Sequence, residues 1–132
     1  MQAAVARVAA GAESYLEVHA MERVFVGHPF GALLRQHVVS AEDRHYRLDM
    51  YDPRTMTAIE ADGATYHSGA WEWQRDIRRD VDLAALGILT IRFSYRDLTE
   101  RPTWCRRRAV EVVAERSRAL TRSRSFRASG TD

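Results

Sequence analysis

The stretch from Arg47 to His67 constrains the fold most, because it sets three carboxylates, Asp49, Glu60 and Asp62, inside two short β-type runs. Asp-Pro-Arg-Thr between those runs is turn chemistry, so they fold back on each other as a hairpin. With Asp52 to Thr55 as the loop, Tyr51 faces Met56, and Asp49 lies opposite Ala58 and diagonal to Glu60. Asp62 follows two residues further along the same face. Leu48, Met50, Ile59 and Ala61 then point to the opposite face as core, which pins the register. Acidic residues are disfavoured in strands, and like charges held close raise one another's pKa, so this cluster needs a compensating cation. A divalent metal is the simplest one.

Around the hairpin the pattern is that of one domain over residues 12–120. Residues 1–11 are alanine-rich and read either as a frayed helix or as a connection to an upstream domain. Ser14 and Glu17 form a capping box ahead of a helix from Tyr15 to Val26, which Gly27 and Pro29 end. Leu33 to Val39, Arg44 to Tyr51 and Met56 to Ala61 alternate as strands of an antiparallel meander. Ser68-Gly69 opens a helix from Ala70 to Leu86, closed by Gly87, with Trp73, Ile77, Val81 and Ala84 as its apolar stripe. Ile88 to Phe93 is a strand that can lie parallel to the preceding one after this crossover. Pro102 starts a final helix, Thr103 to Leu120, whose buried side carries Cys105, Ala109, Val112, Val113 and Leu120. Residues 121–132 are poor in hydrophobes, which predicts a disordered tail.

Composition narrows the class. All 20 basic residues are arginine, against 18 acidic residues, so a net charge of +2 does not by itself announce a nucleic-acid binder. Their distribution says more, because arginines crowd the half of the chain after the acidic hairpin, and arginine suits phosphate as a bidentate donor. The one cysteine excludes an internal disulfide, and the five histidines lack the paired spacing of a zinc site. No run is long and apolar enough for a membrane span, so a cytoplasmic protein without a membrane partner is expected.

Asp49, Glu60-Ala61-Asp62-Gly63, His67, Gln74-Arg75-Asp76, Arg79-Asp80, Leu83 to Gly87 and Ile91-Arg92-Phe93 together resemble the motif series of domain of unknown function family 559. That family is similar to the very-short-patch DNA mismatch repair endonucleases, within the PD-(D/E)xK restriction-endonuclease-like superfamily. The resemblance spans roughly Ser14 to Val113 and implies an α/β fold, an α-β-β-β-α-β-α core with a mixed sheet flanked by helices. It also implies a metal-dependent DNA endonuclease, with Asp49 and Glu60 binding Mg²⁺ or Mn²⁺ and the Ala61 carbonyl as a third ligand. The superfamily's lysine position is Asp62 here, and the chain has no lysine to supply from elsewhere. His67 is the candidate for activating water or protonating the leaving group, and an ordinary loop histidine is the plain alternative.

Gln74, Arg75 and Arg79 are the candidate phosphate and DNA contacts, against a solvated row of ion pairs with Asp76 and Asp80. Glu17 matches an acidic family position as well as a cap, and Gln36 matches a position at the first strand or is a plain polar strand residue. Trp71, Trp73 and Trp104 are candidates for base stacking or for core, and Arg106 to Arg108 for backbone contact or for a basic helix surface. Two functional readings stay open at this stage. One is the endonuclease, with RNA as an alternative substrate. The other is an inactive nuclease-like module that binds nucleic acid or protein beside an antitoxin-like DNA-binding partner.

Overall fold

The computed structural model describes residues 15, 18–62 and 70–130, with Glu72 described in its backbone alone. Its centre is a mixed sheet of four strands in the order β1 (Leu34–Ala41), β2 (Arg44–Asp52), β3 (Thr57–Asp62) and β4 (Leu89–Ser94). The first three strands are antiparallel neighbours, and β4 runs parallel to β3. A parallel neighbour needs a crossover, which α2 (Ala70–Ala85) supplies. Helix α1 covers 18–24, and α3 (Tyr95–Glu100) and α4 (Pro102–Ser129) follow β4. The chain is thus an α/β domain with the expected order plus one short helix, α3, which the Ser94 hydroxyl caps by accepting from the Asp97 N–H at 3.0 Å.

The sheet has a different neighbour on each face. Met21, Val24 and Phe25 from the α1 region, Leu98 of α3, and Cys105, Ala109 and Val113 of α4 pack with Met50, Ile59 and Phe93 into one buried cluster. On the opposite face Leu83 of α2 and Ile88 meet Leu48, Tyr51 and Ala58. The α2 end is a Schellman motif: Gly87 at φ 79° lets its N–H reach Ala84 O at 2.9 Å, and Ile88 N–H reach Leu83 O at 3.0 Å. Ile88 and Leu83 are also the apolar pair that accompanies this motif.

The hairpin differs from the expected pairing. Asp52 pairs with Thr57 and Tyr51 with Ala58, so the turn is Pro53 to Met56, one residue later than expected. Asp52 causes this. Its carboxylate, 2% exposed, accepts from Arg54 N–H and from the Thr55 hydroxyl, each at 3.0 Å, and so caps the turn from inside the strand. The same register carried one pair beyond Met50 and Ile59 brings Asp49 directly opposite Glu60.

The second correction concerns alternation. Leu48 packs on the α2 face with Tyr46 and Tyr51, whereas Met50 and Ile59 pack on the α4 face. Residues 46, 48 and 51 cannot share a face in a regular strand. The reversal falls at Asp49, opposite Gln36, which sits at φ 50° between the pairs Arg35 with Met50 and His37 with Leu48.

Helix α2 is turned away from its expected orientation. Trp73, Ile77 and Val81 are 64%, 43% and 62% exposed, and Ala84 is exposed too, whereas Leu83, outside that stripe, is buried. Polar ties made by the other side of the helix explain the orientation: Arg79 to Glu60, Asp82 to the Tyr46 hydroxyl, and Asp80 to Arg92. Helix α4 in turn continues to Ser129, through the segment where disorder is expected. Arginine and alanine are good helix formers there, and Glu115 pairs with Arg118 and Arg122 along the surface.

Arg106 is half-buried and donates to the carbonyls of Val24, Val26 and His28 at 2.7 to 3.1 Å, so it ties α4 to the end of α1. This employs its guanidinium inside the fold. Arg108 pairs with Glu111 on the surface. Trp104 lies edge-on to Phe93, with ring centroids 6.0 Å apart, and is core-edge packing. Cys105 is fully buried, and burial pushes its thiol up to about 11.

Candidate functional site

Asp49 and Glu60 replace a rung of the β2–β3 ladder with their own side chains. The Asp49 N–H donates to Glu60 Oε2 at 3.1 Å, and the Ala61 N–H donates to Asp49 Oδ2 at 3.1 Å. Asp49 lies two residues before Tyr51 and Glu60 two after Ala58, both on the α2 face, so both carboxylates reach into the gap between the sheet and α2. Glu60 is only 4% exposed, and its Oε1 accepts from the Arg79 guanidinium of α2.

Burial pushes the Glu60 carboxyl up to about 7. The Asp49 charge and a hydrogen bond to the Asp49 carboxyl add to the rise, and Arg79 and the Asp49 N–H oppose it. A carboxylate in this setting lacks positive charge, because one arginine does not offset burial plus a second carboxylate.

A cleft of about 230 Å³ opens over the pair, with Ala61 and Asp62 on its β3 wall and Asp76, Arg79 and Arg92 beside them. Asp62, Glu60 and Arg92 fall together because β3 and β4 pair Glu60 with Arg92 and Asp62 with Ser94. The structure therefore gathers Asp49, Glu60, Ala61, Asp62 and Arg79 at one cleft.

Arg75 lies one turn nearer the N-terminus of α2 than Arg79, its guanidinium 5.2 Å from the Trp71 ring centroid, and lines a neighbouring concavity instead. Gln74 is exposed on the flank of α2. Gln36 is exposed on β1, opposite Asp49 at the reversal, with φ 50°, and lines neither cavity. Glu17 and His67 lie outside the described residues.

Residues Arg44 to Arg47 of β2 were not singled out from sequence, yet they form the outer wall of that neighbouring concavity, about 490 Å³ in volume. Two arginines flanking a histidine and a tyrosine just before Asp49 was the available signal. Tyr46 there donates to Asp82, whose carboxylate raises the phenol pKa.

Among the described residues no group of three or more His, Cys, Asp or Glu stands together as a metal cage. Two adjacent carboxylates, one of them short of positive charge, still match the needs of Mg²⁺, which is commonly held by one or two carboxylates with water completing its shell. No family model, no curated protein and no solved structure matches this chain.

Proposed function

We propose that this chain is a metal-dependent DNA endonuclease of the very-short-patch-repair-like, restriction-endonuclease-like type. The observation that carries the proposal is the Asp49–Glu60 pair, with Glu60 buried and Asp49 half-buried on a broken ladder rung beneath a cleft bordered by arginine. Asp49 and Glu60 are the residues that would hold Mg²⁺ or Mn²⁺, with the Ala61 carbonyl as the third donor. A cation held there would supply positive charge at the scissile phosphate and would lower the pKa of a bound water.

The chain's own residues account for the remaining needs. Arg79 balances Glu60 in the free protein and is positioned to turn its guanidinium to a phosphate when another cation takes that charge. Arginine stays protonated and cannot serve as a base, so proton transfer falls to Asp62, at the superfamily's lysine position, or to His67.

A second reading, a nuclease-like module that binds nucleic acid without cutting it, is favoured by the Arg79–Glu60 ion pair, which partly neutralises the acid pair from within. An upstream or separate DNA-binding partner belongs with that reading.

Cleavage of supercoiled plasmid and of matched and mismatched duplexes, with Mg²⁺ or Mn²⁺, separates the two. Nicking that needs the metal and disappears in Asp49→Ala and Glu60→Ala is the expected result. Wild type and variants that are folded and equally inert would sink the enzyme reading.

A further inference from the structure

We infer that the concavity between β2 and α2 is a docking cleft for one single-stranded segment of nucleic acid, held by Arg44, Arg47 and Arg75. The inference rests on the nuclease reading only for which end of the cleft receives the scissile phosphate. Arg44, Arg47 and Arg75 line it against one carboxylate, Asp76, and Arg79, whose charge is met by Glu60, stands at its inner end. The Arg47 side chain makes no hydrogen bond or ion pair among the described residues, while its backbone pairs with Val38 in the ladder. Cations gathered in a concave, low-dielectric wall repel one another, and an anionic ligand with several charges relieves that repulsion.

The same cleft is continuous with the acid pair, because Arg47, Asp76 and Arg79 border both cavities. A ligand with one phosphate at Asp49 and Glu60 therefore has its next phosphates among Arg47, Arg44 and Arg75. This describes a polyanion with regularly spaced charges rather than a lone phosphate.

Two features select a single strand over a duplex. The arginines project from two facing walls, a strand and a helix, which admits one backbone between them, whereas a duplex needs a broad open surface. At the α2 wall Trp71 is 72% exposed and stacked by Arg75, which forms an aromatic and cationic platform of the kind that takes unstacked bases. Both Trp71 and Arg75 are solvent-facing, so their loss leaves the fold in place.

The test is fluorescence anisotropy with labelled single-stranded DNA, single-stranded RNA and blunt duplex DNA of equal length, in EDTA so that no cleavage occurs. Tighter binding of the single strands than of the duplex, by about tenfold or more, is expected. Arg47→Ala and Arg75→Ala should each weaken that binding and reduce the slope of log K against log salt by about 0.7. Trp71→Ala should weaken it by about fivefold or more with the slope unchanged. Arg118→Ala, on the remote part of α4, should bind as wild type. The DNA and RNA arms identify which polymer is preferred.

Equal or tighter binding of the duplex, or arginine variants with unaltered affinity and salt slope, overturns the inference. Strand binding that persists in Glu60→Gln while no variant or wild type cuts any substrate removes the nuclease reading and leaves this one standing.

Discussion

The two faces of the sheet hold their helices by different physics. On the α4 face eleven buried residues interdigitate, with Phe25, Phe30 and Phe93 in aromatic contact. On the α2 face five apolar residues form the buried cluster, and the helix is otherwise tied by Arg79 to Glu60, Asp82 to Tyr46 and Asp80 to Arg92. Apolar burial is non-directional and strong, so the first face sets the fold. Ion pairs are directional, salt-sensitive and exchangeable, so the second face can open to a charged ligand. The carboxylates and the arginine-lined cleft both lie on that second face.

The largest expected effect falls on the α4 face. Phe93→Ala removes a ring packed against Phe25 and Trp104, and should cost about 3–5 kcal/mol in chemical denaturation. A loss below about 1 kcal/mol would mean that this face does not carry the fold.

Next comes Glu60, where the two faces should differ in pH response. Its folded pKa is raised from 4.5 to about 7, so its stabilising contribution is fully present below about pH 4.5 and is lost as pH rises through 7. At pH 8 the ionised, buried carboxylate costs at most on the order of 3 kcal/mol. Glu60→Gln should therefore unfold at higher denaturant than wild type at pH 8, and the fall in stability between pH 5 and 8 should flatten. Mg²⁺ added to wild type at pH 8 should recover part of the same difference and have no effect on Glu60→Gln. A wild-type profile that is flat over this range would break the contrast.

Arg116 tests whether polar ties on the α4 side behave like those on the other. From α4 it donates to the carbonyls of Thr55, Met56 and Gly87 at 2.8 to 3.3 Å, locking the hairpin turn to the end of α2. Arg116→Ala should cost about 2 kcal/mol, measured by thermal unfolding. Added salt should change that cost little, because the partners are neutral carbonyls.

What could be read from sequence was local, and what could not depends on two elements meeting. The element order, the stop at Gly87, the start at Pro102 and the shared face of the three carboxylates follow from spacing and caps that lie within a few residues of one another. The pairing register did not, because Asp52 looks like a loop residue until its bonds to Arg54 and Thr55 draw it into the strand. Neither did the reversal at Asp49, which needs Gln36 of the neighbouring strand to adopt a positive φ. Arg106 resembled a surface charge because its carbonyl partners lie some 80 residues away. Arg44 and Arg47 gain meaning only once α2 stands across from them.

The α2 row is where sequence pattern and structure diverge furthest, and it yields the smallest effect. Periodicity shows that Trp73, Ile77 and Val81 share one side of the helix, and the usual inference is that this side faces the sheet. Successive residues turn by about 100°, so Ile77 lies about 200° from Arg79, and the helix cannot present both to the sheet. The buried Glu60 carboxylate decides between them, since leaving it without Arg79 would cost more than exposing a few apolar side chains. Replacing Trp73, Ile77 or Val81 singly by Ser should thus change unfolding free energy by no more than about 0.5 kcal/mol, whereas Leu83→Ala, on the inward side, should cost 2 kcal/mol or more, on the order seen for buried leucines. If the serine variants matched Leu83→Ala, the helix would be docked through its apolar row, and Arg79 could not be the partner of Glu60.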